Sequence, residues 1–284
     1  MNPESDKLDT EWIDKLPPLR EVIEKHSLWA DKKLGQNFIL DTNITDKIVA
    51  SAGDLKGLTV FEIGPGPGGL TRSLLKSNAE KIIAIEFDNR AVEALRDLED
   101  KALGRLEVVK GDALELDLMS MAPKARRAII ANLPYNIATP LLISWLKQIY
   151  ADEKAFEKMA LMFQKEVAER IVSPSGQKSF GRLSVLSQWL CKCTISFDLP
   201  PSVFLPPPKV TSSVVSFRPK GNQAEMPIFE NVEKVTQAGF GQRRKMIRKS
   251  MKDYCNSFSI CAIEDTNRAE NLEIKDFLCI AKKL

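Results

Sequence analysis

The densest chemistry in this chain lies in Asn132-Leu-Pro-Tyr135 and the Asn136 that follows. The Asn132 side-chain oxygen can accept one hydrogen bond and the Leu133 main-chain carbonyl a second, with Pro134 restricting the chain so that both converge on one donor group. Such a pair suits an exocyclic amine such as adenine N6, whose lone pair is delocalised into the ring. Holding both N–H bonds turns that lone pair toward an electrophile. Tyr135 offers a ring on which an extruded base stacks. No strong base is needed, because the proton leaves after the nitrogen has become positive. The chain fits that economy: its single histidine, His26, precedes every glycine-rich or turn motif. Ser-His-Asp and Cys-His schemes and most zinc sites are thereby removed.

A second constellation is Phe61-Glu-Ile-Gly-Pro-Gly-Pro-Gly-Gly69. Gly64, Gly66 and Gly69 match G-x-G-x-x-G, and Glu86 stands about where an acid that binds ribose belongs. A dehydrogenase and a methyltransferase are both served to this point. Three details favour the methyltransferase. Pro65 and Pro67 remove backbone donors that a pyrophosphate would want. Gly111-Asp112-Ala113 supplies a further acid, suited to an adenine amine. No His or Tyr-x-x-x-Lys arrangement for hydride chemistry is present. The cofactor expected is S-adenosylmethionine, with no metal.

These residues need elements to hold them. Leu58 to Ile63, Lys81 to Glu86, Leu106 to Val109, Ala128 to Ala131 and Met159 to Phe163 read as strands. Helices are expected from Leu19 to Ala30, from near Asn43, over Leu70 to Leu75, Asn89 to Leu98 and Pro140 to Ile149, and from Lys165 and Leu183. Alternation of this kind implies a parallel sheet covered on both faces, with the glycine loop, Glu86, Asp112 and Asn132 all at its carboxyl edge. Asn and Pro are also common turn residues, and it is this shared edge that argues against a mere turn at Asn132 to Tyr135. Thr194 to Leu199 and Ser212 to Phe217 follow without a helix between them and read as an antiparallel pair closing the sheet. Ile228 to Ala238, Arg243 to Tyr254 and Ile274 to Lys282 read as helices. The fold class is α/β: a Rossmann-like class I methyltransferase sheet with helices on both faces, plus a small C-terminal helical domain. Its expected divisions are 1–30 as an extension, 31–220 as the cofactor-binding domain and 221–284 as the helical domain.

The whole chain bounds the rest. It has 284 residues, 44% of them hydrophobic and 28% charged, a net charge of +3, and no apolar run near the roughly 18 residues of a membrane span. Its acidic, polar start does not read as a secretory signal, so a cytoplasmic protein is expected. Cysteines 191, 193, 255, 261 and 279 form no Cys-x-x-Cys pair and read as free buried thiols. Against so small a net charge, Gln242 to Lys252 concentrates Arg243, Arg244, Lys245, Arg248, Lys249 and Lys252 without an acid. With Met246, Ile247 and Met251 it reads as an amphipathic helix whose cationic face contacts an RNA backbone, against the plainer reading of a solvated charged face.

With these residues assembled, the sequence resembles the KsgA-type small-subunit (16S) ribosomal RNA adenine N6-dimethyltransferases. Leu34-Gly-Gln-Asn-Phe38, Glu62-Ile-Gly-Pro-Gly66, Asn132-Leu-Pro-Tyr-Asn136, Phe163-Gln-Lys-Glu-Val167, Gly181-Arg-Leu-Ser-Val185, Pro206-Pro-Pro-Lys-Val210 and Gln242-Arg-Arg-Lys245 look like that family's blocks, in order. The resemblance implies dimethylation of two adjacent adenosines in the 3′-terminal hairpin loop of 16S rRNA, within an immature 30S subunit, by a monomer. It further implies that Asn37, the backbone at Ile39, Gly64, Glu86, Asp112 and Asn132 bind the cofactor, and that Phe163 adds a second stacking face, although other members carry an aliphatic residue there. A 23S rRNA adenine methyltransferase of the resistance type is the nearest rival; those enzymes typically carry Asn-Ile-Pro-Tyr, so Leu133 and the Pro206-Pro-Pro block weigh against it. A non-catalytic ribosome-assembly factor on the same fold is the rival of another class.

Overall fold

The computed structural model describes residues 10–29, 36–221 and 225–284. Ala30, at the end of the expected first helix, and Leu34 and Gly35 lie outside them. The chain begins with α1 (Glu11–Asp14), α2 (Leu19–Lys25), β1 (Phe38–Ile39) and α3 (Thr42–Ser51). The repeating part is β2 (Leu58–Ile63), α4 (Gly69–Lys76), β3 (Lys81–Glu86), α5 (Asn89–Lys101), β4 (Leu106–Lys110), α6 (Leu118–Met121), β5 (Arg126–Ala131), α7 (Tyr135–Ala151) and β6 (Lys158–Gln164). Then come α8 (Lys165–Val172), α9 (Arg182–Leu190), β7 (Cys191–Leu199), β8 (Phe204–Leu205) and β9 (Ser212–Pro219). The chain closes with α10 (Phe229–Gly241), α11 (Ile247–Ser250), α12 (Cys255–Ile260) and α13 (Ile274–Ala281).

Seven strands form one sheet in the order β4-β3-β2-β5-β6-β9-β7. The first five run parallel, while β9 pairs antiparallel with both β6 and β7. From β2 the chain winds outward through β3 to β4, then returns to β5 on the other side of β2. The point of reversal therefore lies between the carboxyl ends of β2 and β5, where sheets of this kind bind ligands. Strand periodicity divides the apolar residues between two cores. Val60, Ala128 and Ile130 face α3, α4 and α5. Phe61, Ile129 and Ala131 face α7, α9 and the C-terminal helices. The N-terminal segment belongs to this architecture, since Ile13 joins the first core and Ile23 and Leu28 pack with Phe38 and Ala91. The C-terminal helices share the second core: Phe229 of α10 stacks on Trp189 of α9 at 5.7 Å between ring centroids.

Several elements differ from the expectation. Helix α7 starts at Tyr135, not Pro140, because Pro134 takes the N-cap position and Pro140 is carried inside the helix. The first long helix ends at Lys25, with Ser27 at φ 50 turning the chain. The segment Gln242 to Lys252 is not one helix. Met246 forms an antiparallel bridge with Arg268, and the Ile247 and Arg248 N–H groups donate to the carbonyls of Asn267 and Asp265, which draws the backbone out of helical geometry. Only the four residues of α11 remain α-helical there, with Lys252 opening a 3-10 turn and Ile247 and Met251 buried in the core. The cysteines are not all free buried thiols. Cys261 and Cys279 form a disulfide, and Cys255 is exposed. The bond joins the residue that caps α12 to α13, two positions 18 apart, which no spacing rule announces.

Candidate active site

Four strand ends and one N-terminal strand build a single cavity. It is lined by Asn37, Ile39, Glu62, Gly64, Glu86, Asp112 and the run Asn132 to Ile137, among others. Its empty space, solvent-open mouth included, is about 1210 Å³, room for a nucleoside joined to an amino acid. Strand β1 reaches this edge by an antiparallel pairing with β8, Phe38 opposite Leu205 and Ile39 opposite Phe204. Two-residue strands carry no periodicity, so neither was legible in advance.

The glycine loop is closed upon itself. Gly64, Gly66 and Gly68 all have positive φ, the conformation glycine adopts without a Cβ penalty. The Gly64 N–H donates to Ile85 O at 2.9 Å, that of Gly66 to Glu86 Oε2 at 3.0 Å and that of Gly68 to Pro65 O at 3.0 Å. Pro65 and Pro67 have no N–H to give. Every donor between 64 and 68 is thus spent, and a pyrophosphate would find none. At Gly69 the main chain of β1 comes so close that a Cβ would stand 2.6 Å from Ile39 O.

Three acids set the electrostatics. Glu86 is 5% exposed and accepts from the N–H groups of Gly66, Phe87 and Asp88. Roughly four acceptor positions exist on a carboxylate, so about one remains for a ribose hydroxyl. Burial raises its pKa, and these three donors oppose the rise. Glu62, one strand away, is 1% exposed, and its Oε2 has no hydrogen-bond partner. Burial pushes the Glu62 carboxyl up to about 8, with the charge of Glu86 adding to the rise and Thr71 opposing it. A Glu62 carboxyl with a buried, unpartnered oxygen beside Glu86 gives an anion nothing to pair with, while a cation placed there would favour release of the Glu62 proton. S-adenosylmethionine, with its sulfonium and ammonium groups, fits; a dinucleotide pyrophosphate does not. Asp112 is half-buried at the end of β4, its Oδ1 accepting the Leu114 N–H at 2.9 Å.

The Asn132 amide is oriented by the chain itself. Its Nδ2 donates to the Asn37 carbonyl at 3.0 Å, across 95 residues of sequence. The amide's two ends point apart, so fixing Nδ2 in this way turns Oδ1 to the other side, available as an acceptor. Pro134 O takes the first helical hydrogen bonds, from Ile137 and Ala138, which leaves the Leu133 carbonyl outside the ladder of α7. Tyr135 begins α7, and its hydroxyl lies 2.6 Å from Ser212 Oγ. Burial raises the phenol pKa above its usual value, so the ring stays neutral at working pH.

The structure therefore brings Asn37, Ile39, Gly64, Glu86, Asp112 and Asn132 to Tyr135 together around one space. Phe163 it places elsewhere. That ring is 1% exposed in the core and meets Phe217 edge-on at 6.3 Å between centroids. It offers no face to a base, because β6 turns it away from the cavity into the layer shared with α7. Glu62 and Thr71 were not singled out from sequence; a carboxylate inside an otherwise apolar strand was the available signal.

The basic residues divide. Arg243 donates to the carbonyls of Lys178 and Phe180 at 2.7 and 2.5 Å and lies 3.9 Å from Glu270, so it ties α10 to the α8–α9 connection. Arg244, Lys245, Arg248, Lys249 and Lys252 are exposed. They form a cationic surface spread over the turn before α11 (Arg244, Lys245), α11 itself (Arg248, Lys249) and the 3-10 turn after it (Lys252), rather than one helix face.

Similarity to known proteins bears on this site. The family model described as Ribosomal RNA adenine dimethylase matches residues 29–284. A Ribosomal RNA small subunit methyltransferase A from Rhizobium etli (strain CIAT 652) is 49% identical over 274 residues, covering 96% of this chain and 99% of its own length. Among solved structures, a dimethyladenosine transferase from Plasmodium falciparum superposes with a TM-score of 0.68 at 27% identity, over 86% of this chain and 95% of that one. The 23S rRNA methyltransferase ErmE superposes with a TM-score of 0.65 at 22% identity, over 87% and 99%, a likeness of fold.

Proposed function

We infer from membership of the ribosomal RNA adenine dimethylase family, to which this chain belongs, that it transfers methyl groups from S-adenosylmethionine to N6 of two adjacent adenosines in the 3′-terminal hairpin loop of small-subunit (16S) ribosomal RNA. S-adenosylmethionine, when bound, supplies an electrophilic methyl group. The chain's own residues do the rest. Glu86 holds ribose hydroxyls, Asp112 the adenine amine of the cofactor, and the buried Glu62 faces its cationic portion. Asn132 Oδ1 and the Leu133 carbonyl accept the two N–H bonds of the target amine and aim its lone pair. Tyr135 stacks on the extruded base. No residue need act as a strong base, which agrees with a cavity that His26 does not line.

The observation that carries this reading is the Asn132 amide, held by Asn37 O with its oxygen left as an acceptor. The two residues line one cavity although 95 positions separate them in the chain. Arg244, Lys245, Arg248 and Lys249 hold the RNA backbone, giving affinity and salt sensitivity without choosing the base. The substrate is an immature 30S particle in the cytoplasm, met by a monomer; among the described residues no helix is long and apolar enough to cross a membrane. Likeness to the 23S enzyme extends to the fold and not to the substrate.

The test is methylation of undermethylated 30S and 50S particles, read by primer extension. Two neighbouring modified adenosines near the 3′ end of 16S rRNA are expected, and product confined to 23S rRNA would overturn the assignment. Replacing Asn132 with Ala should lower kcat by about 100-fold, the scale of losing one preorganised polar group at a reacting centre.

A further inference from the structure

Ser212 meets the Tyr135 hydroxyl but takes no part in the cofactor and base contacts assigned above. It is fully buried, does not line the cavity, and is the first residue of β9. Its register is set from two sides: it pairs with Gln164, the last residue of β6, and with Leu199, the last of β7. Because β6 runs parallel to β5, its last residue lies at the carboxyl edge of the sheet. An antiparallel strand beside it must begin at that same edge, so the first side chain of β9 is delivered to the rim of the active site. There Ser212 Oγ meets the Tyr135 hydroxyl at 2.6 Å.

A tyrosine ring has two side-chain torsions; with its backbone end held, an anchor at the hydroxyl fixes χ1 and leaves only rotation about the ring's own Cβ–Oη axis. At its Cβ end, Tyr135 is fixed by the N-terminus of α7 behind Pro134. At its hydroxyl end it is fixed by Ser212. We propose that Ser212 is a positioning residue for methyl transfer, holding the Tyr135 ring at the place in the site rim where the target base stacks. The proposal rests on the reading of Tyr135 as the stacking residue. It assigns a task to the stretch behind the Pro206-Pro-Pro-Lys-Val210 block that cofactor binding leaves without one. A ring held before the base arrives costs less order on binding and presents the amine at a productive distance.

The experiment compares Ser212→Ala, Tyr135→Phe, the double variant and Tyr135→Ala in single-turnover methylation of undermethylated 30S subunits, with cofactor affinity measured by titration and folding by thermal melting. Ser212→Ala and Tyr135→Phe delete one hydrogen bond from opposite sides. Each is expected to lower the rate by about three- to tenfold, the worth of one such bond, with cofactor affinity changed less than about twofold. The double variant should be no slower than the slower single one. An unchanged rate in either single variant, or losses that multiply in the double, overturns the proposal. If Ser212→Ala does not fold, Tyr135→Phe alone decides, since it removes the same bond without emptying buried space. Tyr135→Ala separates the two readings: a normal rate there defeats base stacking itself, whereas a severe loss beside a silent Ser212→Ala defeats only the role of Ser212.

Discussion

Glu62 offers the most quantitative test of how this cavity is built. Its carboxyl titrates near 4.5 in an unfolded chain and is pushed up to about 8 in the ligand-free fold by burial, with Glu86 adding its charge. Between those values the unfolded chain has released a proton that the folded chain still holds. Stability therefore falls as pH rises through this window, is unaffected by Glu62 below about 4.5, and carries the full penalty above about 8. Each pH unit inside the window costs about 1.4 kcal/mol. From pH 6 to pH 8 the loss is about 2 kcal/mol, allowing for half-titration at the upper end, which for a chain of this size is roughly 4–8 °C in Tm. Glu62→Gln removes the titration and keeps the shape. Thermal melts of both ligand-free proteins at pH 6, 7 and 8 should show the Gln variant gaining steadily on the wild type. The same variant should bind S-adenosylmethionine about 10- to 100-fold more weakly at pH 8, where the cationic cofactor favours the ionised carboxylate and a charge-assisted contact is lost. A Tm gap that stays constant across the three pH values would refute the reasoning, for it would mean that Glu62 is not a proton-holding acid in the empty cavity.

Other expectations follow from single contacts. Gly69→Ala should destabilise the fold by about 1–3 kcal/mol, seen in denaturant unfolding, because its Cβ would press on the main-chain oxygen of Ile39 rather than on a side chain able to move. Arg244→Ala and Lys245→Ala should weaken RNA binding evenly across sequences and flatten the salt dependence by about 0.7–0.9 per lost phosphate contact, measured by filter binding at several salt concentrations. Arg243→Ala should instead lower Tm with little change in that slope, since its guanidinium is committed to Lys178 O and Phe180 O. Reducing the Cys261–Cys279 bond should cost about 3 kcal/mol of stability, the entropy of releasing a closed loop of about twenty residues, visible as a lower Tm in reducing buffer.

Much of the fold could be read directly, and the reason is periodicity. Leu58 to Ile63, Lys81 to Glu86 and Ala128 to Ala131 are short apolar runs flanked by amphipathic helices, and such runs have few ways to bury themselves other than as central parallel strands. The place of the cavity was equally legible, because Gly64, Glu86, Asp112 and Asn132, which line it, each stand at the end of such a strand, and parallel strands put all their ends on one edge. Two readings failed for one shared reason. Phe163 was carried over from the family resemblance and the segment Gln242 to Lys252 was judged by residue type, and neither says which way a side chain turns. The sheet turned Phe163 into the core, and the bridge from Met246 to Arg268 broke the expected cationic helix.

The sequence by itself determined the chemistry available: an amide, a carbonyl, a proline and an aromatic ring in four consecutive residues, with acids spaced for a nucleoside. Local order along the chain sufficed, since those groups act as neighbours or at successive strand ends. What only the tertiary structure decided is how the Asn132-Leu-Pro-Tyr135 groups are held. Asn132 is oriented by Asn37 from the N-terminal side and Tyr135 meets Ser212 from β9, at separations of 95 and 77 residues. Hydrogen bonds over such distances exist only after the sheet has assembled its edge, so no pattern along the chain could announce them.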